Sequence, residues 1–596
     1  MNPGLLRMVV VGETIRDWRI SESEWSFFPY KDEHVINIDT EIETLRRLWP
    51  FRTTLWARAT FSKLTYRAEG RPWWEWHQIA LHRLRTPLSI ACPRVATHNH
   101  FVLDRGGTVF KQTAQVIKLP AGTTEEEHLD LVGVLNSSTA CFWLKQVAHN
   151  KGSTVDAKGA RQTTDPFENF YDLDGSKLQA FPLPRSMPRA TAVALDSAAQ
   201  ELASLSPAAI AEHTAPSADA LAAAEAEWEL TRRRMIGLQE HLDWEVYRHY
   251  GLVDDDLVAV EEPPLALGER AFEIVLARKV AAGEEATTWF TRHGSTPITA
   301  PPAHWPAEYR ALVERRIEVI ETNAEIVLIE RPEYKRRWNT TPWAEQQQAA
   351  LKTWLLDRLE SPAYWPTPAI TSTARLAALA RADEEFMGVA RIYAGRDDVD
   401  VAALVADLVK GEAVPYLAAL RYTEAGLRKW AQWCHTWALQ RREDAGEAVG
   451  EIPVPPRYAN ADFTGVGWTH RGKLDVPKER FISYPGASTD TDPSLVVGWA
   501  GWNHLERARA LATFYLGAKR DGRDPAGLTP LLAGLAELAP WLRQWYDEPN
   551  TDPALNRPGS QIAGLLDVEA RTLHLTHDDL EGWRPAPTAR GRRRTT

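Results

Sequence analysis

Cysteine is nearly absent, with only Cys92, Cys141 and Cys434 in 596 residues. The three are far apart and no CxxC or Cys/His ligand spacing surrounds them, which excludes a disulfide scaffold and argues against structural zinc. The expectation is a reducing, cytoplasmic setting in which the thiols act as small buried hydrophobes. No apolar run approaches the roughly 18 residues of a membrane-spanning helix. Residues 1–12 hold one arginine and a short apolar run, but no small-residue cleavage site precedes the polar segment 13–24, so no secretory leader is expected. Catalytic signatures are missing too: there is no P-loop, HExxH, GxSxG or EF-hand pattern. What is there is ordinary soluble material, 44% apolar and 25% charged, long enough for three or four structural units.

Net charge is −11, but the sum hides its distribution. Residues 1–190 hold 24 Lys+Arg against 21 Asp+Glu, whereas the remaining 406 hold 45 against 59. Between Arg46 and Lys118 stand 13 basic residues and only Glu69, Glu75 and Asp104. A band of that sign suits a polyanion. Phe51, Trp56, Phe61, Tyr66, Trp73, Trp74 and Trp76 interleave with its cations; rings can stack on bases, although for the tryptophans a place in the core is the favoured reading. Charge reversal at Arg336 and Arg337, in the Lys335-Arg-Arg cluster of the acidic remainder, is expected to do little to polyanion binding.

Short apolar runs at 88–91, 101–103 and 115–119 are broken by Pro87, Pro93, the Asp104-Arg-Gly-Gly107 turn signal and Pro120, which predicts a strand-rich segment with at least one hairpin. From 125 to 150 a helix, a polar break at Asn136-Ser137-Ser138 and a second helix follow. Pro182, Pro184 and Pro188 place a boundary near residue 190. Long helices are predicted from 191 to 250, stopping at Gly251. The expected class is α+β. Its expected division is a mixed α/β domain at 1–190, a long-helix and mixed scaffold at 191–340, a helical domain at 341–445, and a Pro-rich excursion with C-terminal helices and a basic tail at 446–596.

Two further patterns suggest chemistry. Phe463-Thr-Gly-Val-Gly467 imitates the Gly-rich turn of nucleotide-cofactor sites, but it lies in a Pro-rich region and is read as a plain loop. Ile326-Val-Leu-Ile-Glu330 reads as a strand-like run ahead of Glu333-Tyr-Lys335, the carboxylate and lysine pairing of metal-dependent nucleases. With no upstream Asp placed beside it, a nuclease is not adopted.

The order of residues 49–150, with RTPLSIACPRV at 85–95, HFVLDRGGTVFKQTAQVIKLP at 100–120 and LVGVLNSSTACFWLKQ at 131–146, resembles the target-recognition domain of the TaqI-like class of adenine-specific DNA methyltransferases. VVVGETIRDW at 9–18, LQEHLDWEVYRHYGL at 238–252, IERPEYKRRW at 329–338 and THRGKLDVPKERFISYPGA at 469–487 resemble the C-terminal half of the PglX family, the large methyltransferases of phage growth limitation and type 2 BREX defence systems. The resemblance covers almost the entire chain. Such proteins place an S-adenosylmethionine domain and an Asn-Pro-Pro-Tyr motif before the recognition domain. No Asn/Asp-Pro-Pro-aromatic tetrapeptide occurs here; Asp165-Pro-Phe167 has a single proline. That motif holds a flipped adenine, so this chain alone is expected to be inactive, as a separated or truncated C-terminal half with Met1 inside a longer reading frame.

The resemblance therefore implies a recognition part that binds double-stranded DNA, has no cofactor of its own, and works with an N-terminal catalytic half that uses S-adenosylmethionine and with other phage-defence proteins. Arg58, Lys63, Arg71, Arg83, Arg85, Arg94 and Lys111 are the candidate phosphate or guanine contacts, and Asn99, Gln112 and Asn136 the candidate adenine readers. A protein-interaction scaffold of a defence complex, without DNA readout of its own, is the alternative.

Overall fold

The computed structural model describes residues 2–21, 24–155, 160–161, 163, 165–338, 340–552 and 556–586; the basic tail at 590–594 lies outside the described residues. The α+β class is borne out: helices dominate, and the strands gather in sheets of two to four. No helix among the described residues is long and apolar enough to cross a membrane. The chain forms two compact units, each built from discontinuous stretches. The first takes residues 2–36 and 79–347, the second residues 37–78 and 348 onward.

In the first unit, strand Ser89–Pro93 runs antiparallel to Val102–Asp104 on one side and to Ala114–Ile117 on the other. Ile90, Ala91 and Cys92 are fully buried, because both faces of this central strand are covered. Strand Thr108–Phe110 instead joins Leu6–Val10 in parallel, with Glu24–Phe27 antiparallel on the far edge. The Asp104–Gly107 turn thus passes the chain from one sheet to another, and Gly106 and Gly107 supply its positive φ of 107° and 83°. Gly12 makes the closest backbone approach: its N–H donates to Thr113 Oγ1 at 3.1 Å, and a Cβ there would lie 2.2 Å from the Thr113 carbonyl oxygen. Gly12→Ala is expected to cost about 1–3 kcal/mol through this overpacking, read by urea denaturation. A loss within about 0.5 kcal/mol would mean that the two segments separate freely.

The expected helix, break and helix is present. Thr124 Oγ1 accepts from the Glu127 N–H at 3.2 Å, and the Glu127 carboxylate accepts from the Thr124 N–H at 2.7 Å, a capping box that opens helix Glu125–Leu135. Ser137 then caps helix Ser138–Val147. Residue 190 falls at the start of helix Arg189–Ser204, which packs closely on Glu125–Leu135: a Cβ on Gly133 would lie 2.8 Å from that of Ala192. Helix Ala218–His249 ends before Gly251, at φ 70°. One hydrophobic core runs from Trp18 to Trp343. Ile326–Ile329, expected as a strand, is a helical turn, since its buried Ile326 and Ile329 are three residues apart on one face.

The second unit holds a four-stranded sheet in the order Thr371–Ser372, Val496–Trp499, Phe481–Ser483, Ala413–Pro415, of which only the last pair is parallel. Helices His504–Arg520, Pro525–Trp545 and Pro558–Thr572 enclose a core around Leu532 and Leu542. Residues 37–78 dock on helix Glu424–Asp444: buried Trp49 joins Tyr422, Trp433 and Trp437, and Gln440 spans Thr53 Oγ1 (2.7 Å) and the Trp49 carbonyl (3.1 Å).

Candidate nucleic-acid interface

The first unit carries seven of the ten residues singled out above. Arg83, on the 3₁₀ turn Leu81–Arg85, is exposed and its side chain has no partner among the described residues. Arg85 forks onto Glu33, and that hydrogen bond holds the Glu33 carboxyl below its usual range. A groove of about 620 Å³ opens beside this pair, lined also by Arg7, Lys31, Gly107 and Lys118. Lys111 and Gln112 form an exposed turn ahead of strand Ala114–Ile117; Lys111 Nζ is 3.9 Å from Glu24, and the Gln112 amide has no partner among the described residues.

Arg94 leaves the central strand half-buried and donates from Nε to Asp172 Oδ1 at 3.2 Å, while Lys151 Nζ reaches the same carboxylate at 3.1 Å. Burial disfavours the Asp172 anion, yet the hydrogen bonds from Lys151 and Arg94 hold its carboxyl below the usual range. Exposed Arg161 lies over Gly152, where a Cβ would come within 2.9 Å of Nη2. Two cations, Arg94 and Lys151, therefore share one carboxylate. Lys151 lies after the Arg46–Lys118 band, and only the pairing of His149–Gly152 with Phe170–Asp172, and of that strand with Val95–Ala96, brings it beside Arg94. A count along the chain has no signal for that.

The structure places Asn99 and Asn136 inside the protein. Asn99 Nδ2 donates to the carbonyls of Leu135 (2.6 Å) and Ser137 (3.0 Å). Asn136, fully buried, exchanges two 2.9 Å hydrogen bonds with the Phe101 backbone and accepts from Arg336 Nη2 at 2.8 Å. These amides hold the helix break against the segment 99–101 that leads into strand Val102–Asp104. The Lys335-Arg336 pair is buried as well, so reversal at Arg336 would act on the fold. Lys335 Nζ sits 2.8 Å from both Asp243 and Glu330, so the upstream aspartate that the sequence did not place is Asp243, on helix Ala218–His249. With the ammonium between them, these carboxylates form a salt bridge rather than a metal cradle, and no metal-ligating cluster occurs among the described residues. Arg336 Nη1 donates to Asp17 Oδ1 (3.1 Å) and to His100 Nδ1 (2.8 Å). The Asp17 N–H also points at His100 Nδ1, at 3.3 Å, so this nitrogen is an acceptor; burial and then the Arg336 charge keep the imidazole neutral.

The other three residues belong to the second unit. Arg58 donates to the carbonyls of Leu55 (2.7 Å), Trp73 and Glu75 (both 2.8 Å) and lies over the Tyr66 ring at 4.5 Å, a clamp on the local fold. Arg71 forks onto Glu75 and covers the same ring at 4.8 Å. Lys63 is exposed, at φ 65°. Other members of the basic band are neutralised from far along the chain: Arg52 pairs with Glu443 and Asp444, and Arg67 with Glu443. Tyr66 and Trp73 are buried, whereas Phe61 is exposed.

In the first unit, exposed Arg83, the loosely paired Lys111, Gln112 and the half-exposed Arg94–Lys151 pair can neutralise phosphates and offer one amide to a base edge; these groups supply no nucleophile or general base. A domain family described only as a domain of unknown function, DUF7008, matches residues 235–594. The chain belongs to the DUF7008 family. It is also similar to the adenine-specific methyltransferase PglX of Streptomyces coelicolor, 48% identical over 608 aligned positions that cover 99% of this chain and 50% of PglX. The chain thus spans half the length of that relative, and the resemblance read from the sequence is borne out. The DUF7008 match begins at Met235, inside helix Ala218–His249. Asp243, Lys335 and Arg336 therefore lie within the family's domain, and Arg83, Arg94, Lys111 and Lys151 lie before it.

Proposed function

We propose that this DUF7008 chain is the DNA sequence-recognition part of an adenine-specific (N6) DNA methyltransferase in a BREX/Pgl phage-defence system, corresponding to the C-terminal half of a PglX protein. One observation carries this reading: a chain of net charge −11 keeps exposed Arg83 without a partner among the described residues and sets two cations, Arg94 and Lys151, on the single carboxylate of Asp172. Cations left free on an acidic protein suit a polyanion, and the half-length similarity to a protein named as an adenine methyltransferase makes duplex DNA the polyanion of choice. In this reading residues 1–190 supply the target-recognition domain, and 191–340, 341–445 and 446–596 form the scaffold that meets the catalytic half and other defence proteins.

S-adenosylmethionine would belong to the catalytic half. In this chain the Gly465-Val-Gly467 turn follows a 3₁₀ turn rather than a strand, and its cavity of about 210 Å³ is smaller than the roughly 300 Å³ at which ligand pockets begin. The residues present do not fit that cofactor. The isolated chain is expected neither to bind S-adenosylmethionine nor to methylate DNA; micromolar uptake by calorimetry would refute this. Duplex binding is tested by fluorescence anisotropy at several salt concentrations. The expected affinity falls linearly in log–log form, with a slope of about −0.9 per phosphate neutralised. A chain that binds no duplex even at low salt is the scaffold instead.

A further inference from the structure

The Phe463-Thr-Gly-Val-Gly467 segment, expected to be a plain loop, leads into the short helix Gly467–Arg471, because Phe463 is anchored in the aromatic cluster and presses against Gly467, where a Cβ would lie 2.3 Å from its ring. Thr464 to Gly467 line a cavity of about 210 Å³ in the second unit. Pro415 and Ser483 also line it, at the carboxyl ends of the parallel strands Ala413–Pro415 and Phe481–Ser483. That end of a parallel pair is where open sheets receive ligands.

The lining is cationic and holds no carboxylate. Arg421 is 5% exposed; its Nη1 donates to the carbonyls of Pro415 (3.1 Å) and Tyr416 (3.0 Å), while its buried Nε has no partner among the described residues. Among the described residues the one carboxylate in ion-pair range of it, Glu537, stays 4.0 Å from Nη2, with Asp475 and Glu479 acting from farther off. Lys410 is exposed at the cavity, and its ammonium is without a partner among the described residues. The Ser483 hydroxyl and the N–H groups of Gly465 and Gly467 likewise find none there. A buried donor left unmet costs about 1–3 kcal/mol, so an arrangement of converging donors around a buried guanidinium is completed by an acceptor-only ligand. A tetrahedral oxyanion meets several such donors at once. The volume admits that group and excludes a complete nucleotide.

We propose that this cavity binds a phosphate group, held by Lys410, Arg421, Ser483 and the Gly465–Gly467 turn. The site stands independently of the DNA-recognition reading. Its source is either a small phosphate ester or the DNA backbone.

The test is calorimetric titration of inorganic phosphate into the full chain, against chloride at matched ionic strength. Saturable binding to phosphate alone is expected. Lys410→Ala, which removes an exposed side chain and leaves folding intact, should weaken it about tenfold, and Ser483→Ala severalfold. Arg391→Ala, at an exposed position of the same unit, should leave it unchanged. Arg421→Gln is a poorer probe because Arg421 also ties down two backbone carbonyls. Equal heats with chloride, or wild-type affinity in Lys410→Ala, overturn the site. Displacement of bound phosphate by AMP assigns it to a small ester, and displacement by duplex oligonucleotide alone assigns it to the DNA backbone.

Discussion

Arg336→Met is expected to destabilise the first unit by about 3–5 kcal/mol, the cost of breaking a buried ion pair by removing one partner. The guanidinium is 1% exposed and joins four separate stretches of chain. It meets Asp17 on the N-terminal hairpin, Asn99 and His100 after the central strand, Asn136 at the helix break and Gln239 on helix Ala218–His249. Its loss leaves the buried Asp17 carboxylate without its hydrogen-bonded cation and removes one of the two hydrogen bonds that Asn136 Oδ1 accepts. The hairpin turn also rests on the buried Trp18, whose Nε1 donates to Gln239 at 3.1 Å, and it carries a positive φ of 67° at Trp18 that a bulky residue rarely adopts. Arg336→Glu should be worse, by placing a second carboxylate beside Asp17. Arg337→Glu should be milder, because Arg337 is partly exposed and its partners are Thr97 and Glu168. Urea denaturation followed by circular dichroism reads all three. A loss below about 1 kcal/mol for Arg336→Met would mean that the network does not hold these elements together.

The second large effect concerns DNA. The double reversal Arg83→Glu with Lys111→Glu is expected to weaken duplex binding about 10²-fold near 0.1 M salt and to flatten the slope of log K against log salt by about two units. Each phosphate contact contributes about 0.9 to that slope, so affinity and slope must fall together if these residues touch the backbone. Arg83 and Lys111 serve better than Arg85, whose reversal would place a glutamate against Glu33 and perturb the fold. The charge-matched control is Arg391→Glu with Arg396→Glu, two exposed positions of the second unit; Arg336 and Arg337 cannot serve, one being buried and the other hydrogen-bonded. If the control pair carries the larger effect, the DNA face lies in the second unit.

Much of the local architecture was legible in the sequence. Thr124 with Glu127 announces a helix start, Asn136-Ser137 a break and a new cap, and Gly251 a stop, because hydrogen bonds between near neighbours decide each of them. Ile326–Ile329 was misread because four apolar residues fit either a strand or a helical turn, and only the packing of Ile326 and Ile329 into the core chooses. Residues 464–466 form the expected loop, but the short helix Gly467–Arg471 after it was not read from the sequence, as the contact of Phe463 with Gly467 sets it.

The candidate interface was half legible. By itself, the sequence determined that a basic, aromatic-rich stretch precedes an acidic remainder, and it carried the motifs of a methyltransferase recognition half. Tertiary structure alone decided which of those charges stay free. Arg52 and Arg67 look like their neighbour Lys63 in the chain, yet Glu443 and Asp444, almost four hundred positions later, neutralise the first two. Asn99 and Asn136 have the chemistry to read adenine, yet the helix break and Arg336 take their hydrogen bonds. Lys151 lies outside the basic band, yet strand pairing sets it beside Arg94 on Asp172. Capping and periodicity act over a few residues and are written locally. Ion pairing acts over a few ångströms between groups from any part of the chain, and only the fold brings those groups together.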